Sequence, residues 1–301
     1  MQTYIGIDWG GTFLKAGIVS SNGKILKKTV FSSQDLSKKK LFFARIREIV
    51  KESERFSPAG LGLGIPGIVD LEKGSTYYLP NVPGWKNYPI KRELEKACGL
   101  DATIDNDANL FALSEARIGA AAGVNNALFL TLGTGLGGAV MIDRKIVKGR
   151  TSAGEVGHVP VEIKGKACSC GGRGCVETFT GNRHLIRKYN RIQKNKKLKV
   201  KEVKSIYERA LENEKSALAV WEEFSLGLGV FISGMINVFN PEMVVFGGGV
   251  SGAFKVFKPM LMSVIRSRAM APQVKGLKLV KAKVKDAGII GAALLAKESL
   301  E

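Results

Sequence analysis

Apolar positions near the start of the chain fall in two short runs separated by a glycine-rich step. Ile5-Gly6-Ile7 leads into Asp8-Trp9-Gly10-Gly11-Thr12, and Ala16-Gly17-Ile18-Val19 then runs to Ser21-Asn22-Gly23. The same figure recurs later. Leu128-Phe129-Leu130 leads into Thr131-Leu132-Gly133-Thr134-Gly135, and Gly138-Ala139-Val140-Met141-Ile142 follows, ending at Asp143-Arg144-Lys145. Each copy reads as a β-hairpin with a tight tip. Glycine suits such a tip because a Cβ would block close approach to the backbone amides and disfavour positive φ.

Between and after the copies, the hydrophobic period alternates. Leu36 to Glu52 is amphipathic and predicts a helix. Leu61 to Ile65 predicts a buried strand stopped by Pro66-Gly67, Thr103 to Asp105 a short strand, and Ala108 to Arg117 a helix. Helices are predicted between Thr180 and Asn240, a strand over Met243 to Phe246 closed by Gly247-Gly248-Gly249, and a last helix from about Ala287. Strands alternating with helices imply an α/β architecture. The duplicated hairpin suggests two related domains facing a shared cleft. The border is expected near Phe111, giving residues 1–111 and 112–287, with a closing helix at about 288–301 crossing back to the first domain.

Composition narrows the class. The chain has 301 residues, 45% hydrophobic and 24% charged, enough for large cores and against disorder. Lys plus Arg is 46 and Asp plus Glu 27, for a net charge of +19. That field attracts polyanions such as ATP, polyphosphate or nucleic acid. The densest basic run, Arg187 to Lys204, has only Tyr189 as an aromatic. It reads as a solvated lysine-rich face, and no nucleic-acid partner is expected. Met1 leads almost at once into a strand, so no secretory signal is expected. Phe224 to Pro241 carries no formal charge, yet its Ser, Gly and Asn residues fit a buried helix better than a membrane span. A cytoplasmic location and no membrane partner follow as expectations.

Three of the four cysteines lie in Cys168-Ser169-Cys170-Gly171-Gly172-Arg173-Gly174-Cys175, ten residues after His158. One imidazole and three thiolates are the donor set of a closed, structural tetrahedral zinc, and the glycines allow the sharp turns of such a knuckle. Cys98, standing apart, reads as a small buried hydrophobe. Glu155 precedes His158 and Glu177 follows Cys175, so a metal would fix both carboxylates. Asp105-Asn106-Asp107-Ala108-Asn109 supplies further carboxylates and amides at a strand end, where Asp105 alone is read as a helix cap. A rigid cluster of carboxylates and amides suits a polyhydroxylated ligand, since each hydroxyl both donates and accepts. Asn81, in Asn81-Val82-Pro83-Gly84-Trp85, reads either as a turn residue or as a further member of that cluster.

Taken together, these segments resemble the ROK family of bacterial sugar kinases and sugar-responsive repressors, its glucokinases in particular, over essentially the whole chain. Asp8 to Thr12 with Lys15 is similar to the family's first phosphate turn, and Thr131 to Gly135 to its second. Asn81 to Trp85 and Asn106-Asp107 are similar to its sugar-binding segments, and Phe246 to Gly249 to the segment near the adenosine. Glu155 to His158, continued by Cys-x-Cys-Gly-x-x-Gly-Cys-x-Glu to Glu177, is the most specific part. Trp9 and Phe13 depart from the common form of the first turn.

The resemblance implies a two-domain actin-like, ribonuclease H-like ATPase fold with an interdomain active-site cleft. It also implies ATP-dependent phosphorylation of a hexose at its 6-hydroxyl, glucose first and N-acetylmannosamine as the rival. Asp107 would be the catalytic base. Asn81, Asn106, Glu155, His158 and Glu177 would hold the sugar, with His158 also on zinc. Asp8, Gly10, Gly11, Thr12, Gly133, Thr134, Gly135, Gly247, Gly248 and Gly249 would hold ATP and its Mg2+. His158, Cys168, Cys170 and Cys175 would hold structural Zn2+. A homo-oligomer, dimer or tetramer, is implied. The competing classes are a repressor, for which no room for a helix-turn-helix is expected before Tyr4, and an actin-like ATPase without a sugar, against which Glu155 and Glu177 speak.

Overall fold

The computed structural model describes residues 1–301 except Asp35 and Asn81. The first echo forms the expected hairpin, β1 (Thr3–Trp9) and β2 (Phe13–Ser20), extended by a third antiparallel strand, β3 (Ile25–Ser32). β3 escapes a hydrophobicity reading because its residues are half-buried or exposed throughout. α1 (Lys39–Ser53) follows; Leu36 is buried ahead of it, where its N–H closes a turn on the Ser33 carbonyl, so the helix starts later than the apolar pattern suggests. β4 (Pro58–Ile65) ends at the Pro66-Gly67 step, and the short pair β5 (Ile68–Asp70) and β6 (Ser75–Tyr78) comes next. Then come α2 (Ile90–Cys98), β7 (Ala102–Asn106) and α3 (Asp107–Ile118). The sheet order is β3-β2-β1-β4-β7, with β1, β4 and β7 parallel.

The second echo repeats this plan. β8 (Ala127–Leu132) and β9 (Leu136–Ile142) form the hairpin, and β10 (Lys145–Ile146) adds an edge. The helices α4 (Glu177–Thr180), α5 (Asn182–Ile192), α6 (Val203–Leu211) and α7 (Lys215–Phe239) lead to β11 (Met243–Gly247). α8 (Phe254–Arg268), α9 (Ala271–Val274) and β12 (Lys278–Lys281) follow. The order β10-β9-β8-β11-β12, with β8, β11 and β12 parallel, matches the first sheet strand for strand. α7 is long and apolar enough to cross a membrane, but Trp221, Phe224, Leu228, Phe231 and Ile232 are buried in this unit's core, as expected for a core helix. In the basic run, Tyr189 is fully buried and its hydroxyl donates to Glu214, so it offers no stacking surface.

The chain closes with α10 (Ala287–Leu300). Contacts divide the described residues into two compact units. The first comprises Met1–Gly123, Ile146–Ala153 and Lys283–Glu301; the second comprises Val124–Lys145 and Gly154–Ala282. A border at Phe111 would cut α3, which packs along its length on α10; the division falls after Gly123 instead. α10 does return to the first unit, and it lies very close to its neighbours. A Cβ on Gly6 would meet the Ile289 carbonyl, one on Gly62 that of Ala292, and one on Gly291 that of Leu110. Gly6 and Gly62 serve the close approach of α10 to the sheet, and Gly291 its close approach to α3; none serves a turn.

The first unit's core explains the unusual Trp9. Its ring packs 4.4 Å from Phe42 and 4.9 Å from Trp85 between centroids. Trp85 is itself fully buried and donates its indole N–H to the Ser37 carbonyl at 2.7 Å.

Candidate functional site

In the first unit, the tip between β1 and β2 is braced by Ser33, the residue after β3. The Ser33 hydroxyl donates to the Gly10 carbonyl at 2.7 Å, and the Ser33 N–H to the Thr12 carbonyl at 2.9 Å. Gly10 donates across the tip to the Phe13 carbonyl at 2.9 Å. Gly11 and Thr12 are exposed, and nothing lies within 4 Å of where a Gly11 Cβ would stand. Neither packing nor positive φ requires glycine at Gly11, so its open space is what a ligand approaching the backbone would use. Asp8 lies beside this tip, its carboxylate close against Gly288 of α10. Burial pushes its carboxyl above the ordinary value. Lys15, 3.9 Å away, opposes this, and Asp286 adds to it. A carboxylate this poorly compensated fits a cation as partner.

The junction of β7 and α3 departs from expectation. Asp105 is not the helix cap. Asn106 is: its Oδ1 accepts the Ala108 N–H at 2.8 Å, while its Nδ2 donates to the Gly67 carbonyl at 3.0 Å. Asp105 is 1% exposed and pairs instead with Lys148, a residue the sequence reading did not single out. Asp107 takes the first position of α3, half-buried, with Oδ1 accepting the Ala108 N–H at 2.9 Å. Asn81 lies outside the described residues. On either side of it, Leu79 and Val82 are buried. Trp85, from the same segment, is a core anchor.

In the second unit, the tip between β8 and β9 is held from the other side. Glu177 opens α4 and accepts the Leu136 N–H on Oε2 at 3.0 Å; a Cβ on Gly135 would strike that oxygen. The Asn182 N–H, also unanticipated, donates to the Gly133 carbonyl at 3.0 Å. Thr134 is exposed, and a Gly133 Cβ would meet nothing within 4 Å. The Gly247-Gly248-Gly249 step adjoins this tip. Gly248 has φ +78°, and its missing Cβ makes room for the backbone of Leu132. Gly249 faces open space.

The cysteine run closes beside the same elements. His158 Nδ1 lies 3.6 Å from Cys168 Sγ, and Cys170 Sγ lies 3.7 Å from Cys175 Sγ. All four donor atoms fall within 4.8 Å of one another. Bonds of about 2.3 Å to sulfur and about 2.0 Å to nitrogen give tetrahedral edges of roughly 3.8 Å and 3.5 Å, so the two short spacings fit a common zinc. Burial, reinforced by the two neighbouring thiols, pushes Cys175 up to about 12, while the Gly172 N–H draws Cys170 down. A bound cation would stabilise thiolates at both. With Nδ1 toward the sulfurs, the other ring nitrogen of His158 is left for a different partner. Glu155 reaches solvent, yet partial desolvation raises its carboxyl; His158 opposes this and Glu177 adds to it. Glu155, His158 and Glu177 are thus electrostatic neighbours. Cys98 is half-buried at the end of α2, its thiol 3.4 Å from the Leu100 carbonyl.

Comparison with known proteins places this architecture. The model of the ROK family matches residues 4–299. A glucokinase from Thermotoga maritima is 36% identical over 311 aligned positions, covering 98% of each chain. A xylose repressor from Caldicellulosiruptor bescii is 28% identical, covering 95% of this chain and 75% of that one. A solved structure of a ROK family glucokinase from Streptomyces griseus in complex with glucose and AMPPNP superposes with a TM-score of 0.83 at 29% identity, covering 98% of this chain and 99% of that one.

Proposed function

This chain belongs to the ROK family, and from that premise we propose that it transfers the γ-phosphoryl group of ATP to the 6-hydroxyl of a hexose, glucose before others. The observation that carries the reading is Glu177. Its carboxylate joins the second glycine tip to the elements around the cysteine knuckle, so one side chain couples an open glycine tip to a polar cluster suited to a sugar. The glucokinase relatives agree with this reading.

Phosphoryl transfer asks a protein for positioning and charge stabilisation more than for covalent chemistry. The Gly10 and Gly133 N–H groups close their own tips, so it is the backbone at Gly11-Thr12 and Thr134-Gly135, with the exposed threonine hydroxyls, that faces the phosphates, with Gly247-Gly248-Gly249 toward the nucleoside. Asp107 accepts the proton of the attacking hydroxyl, and Asn106 orients it by capping α3. Glu155, the free ring nitrogen of His158 and Glu177 hydrogen-bond the other hydroxyls, together with Asn81. A site built in this way rejects sugars that leave its polar groups unpaired. Asp8 is the residue suited to hold Mg2+, which supplies neutralisation of phosphate charge when bound. His158, Cys168, Cys170 and Cys175 are suited to hold Zn2+, which supplies rigidity to the loop when bound.

The test is ADP formation with ATP and a panel of glucose, mannose, fructose, allose and N-acetylmannosamine. Glucose should give the highest kcat/KM. A better N-acetylmannosamine rate would move the chain to another branch of the family. Sugar binding without turnover would favour a sugar-sensing regulator, as in the repressor relative.

A further inference from the structure

Asp105 carries a charge at the end of β7 that the proposed chemistry leaves unused. A carboxylate with 1% exposure is tolerated only if it is both hydrogen-bonded and paired. Asp105 meets both conditions through named partners. Oδ1 accepts the Asn106 N–H at 2.8 Å and the Asn109 side-chain amide at 2.8 Å; Oδ2 receives the Lys148 ammonium. Asn109 gives up something for this. Its own Oδ1 is buried with no partner among the described residues, so its amide is turned by Asp105. The start of α3 is therefore organised around the Asp105 charge, and that charge is balanced from outside the helix.

Lys148 reaches it from Ile146–Ala153, a segment that packs with the first unit although the chain on both sides packs in the second. The segment is closed on itself, with the Ala153 N–H on the Lys148 carbonyl at 3.0 Å and Gly149 at φ +61°. Two residues beyond it comes Glu155. From Asp105 the bonding continues through Asn106, whose side chain spans the Ala108 N–H and the Gly67 carbonyl. That path brackets Asp107 on both sides.

We propose that Lys148 is a positioning residue for phosphoryl transfer: by balancing Asp105 it holds the Asn106–Asp107 junction where the base must stand. The inference rests on the hexose-kinase reading. It is a claim about geometry at Asp107, so its signature lies in kcat rather than in substrate affinity.

The experiment is a double-mutant cycle on the full chain with glucose and ATP. Lys148→Met should lower kcat about 10–100-fold, the scale of a misplaced catalytic group, with both KM values little changed. Lys148→Arg, which keeps the charge, should recover most of the rate. In an Asp105→Asn background, Lys148→Met should cost nothing more, because the partner it serves has lost its charge. That double variant leaves no buried unpaired charge and so remains testable if Lys148→Met alone folds poorly. Additive losses in the cycle, a change confined to KM, or a normal kcat in Lys148→Met would overturn the inference while leaving the kinase reading intact. A wild-type chain inactive on every hexose would overturn the kinase reading, and this inference with it.

Discussion

The two units share one strand order, but they hold their polar groups by different means. In the first, the tip and the α3 junction are fastened by hydrogen bonds and by an ion pair to a buried carboxylate: Ser33 on Gly10, Asn106 on Gly67, Lys148 on Asp105. In the second, Glu155 lies near Glu177 and near His158, whose imidazole forms one cluster with three thiols. The first arrangement is complete once the chain has folded. The second brings donor atoms together at spacings that suit a cation, so a bound metal would stiffen it. The same strand order, in two sheets, thus carries an Asp107 junction fixed by packing and a polar cluster beside donor atoms spaced for a metal.

The largest effect separating the two should come from the base. Asp107→Asn is expected to keep glucose binding by calorimetry while turnover falls about 10²–10⁴-fold; near-normal turnover would remove Asp107 from the role. Next comes the metal. Cys170→Ala, or stripping with a chelator, should raise the hexose KM before it affects nucleotide binding. Losses of a supporting contact in metal sites typically reach about 10–100-fold. Elemental analysis should find one zinc per chain in protein purified without chelator, and its absence there would break the comparison at its root.

Smaller effects sharpen the contrast between the tips. Gly11→Val and Gly133→Val place side chains in open space, so melting should shift little while the KM for ATP rises. Gly135→Ala instead drives a Cβ into Glu177 and should cost about 1–3 kcal/mol of stability without any ligand present. Equal melting points for all three would mean that the tips do not differ as described.

The smallest effect concerns Glu155, whose carboxyl is harder to ionise in the fold than in the unfolded chain. The folded state therefore keeps that proton to higher pH, and stability falls as pH rises from the ordinary carboxylate value through the raised one. Glu155→Gln should raise the melting temperature slightly at pH 7, and the gain should fade in acid. Its hexose KM should rise at the same time. A lower melting temperature at pH 7 would reverse the sign and the argument.

Much of this was legible in the chain. Both hairpins, the buried α7 and the cysteine knuckle rest on local patterns, so a linear reading finds them. Of the elements missed, α2 and α8 do carry an apolar face, through Ile90 and Leu94 and through Phe257, Leu261 and Ile265, whereas β3 and β12 lack a hydrophobic signature. β3 has no buried residue, and β12 is four residues flanked by lysines. The Asp105 assignment failed for a different reason. Capping is a local rule, and Asn106 satisfies it one residue later, while the true partner of Asp105 lies 43 positions away. Among 46 cationic residues, no sequence signal distinguishes Lys148. Glu177 was found as a polar residue, but its hold on the Gly135 tip depends on tertiary contact and could not be read from spacing.

The central claim is transfer of a phosphoryl group from ATP to the 6-hydroxyl of glucose. Its most direct test is product identity and stoichiometry by phosphorus NMR, with purified wild-type chain, ATP, Mg2+ and glucose. The account predicts one glucose 6-phosphate for each ADP, and no ADP when glucose is left out. ADP formed without glucose, or phosphate appearing free rather than on the sugar, would contradict it.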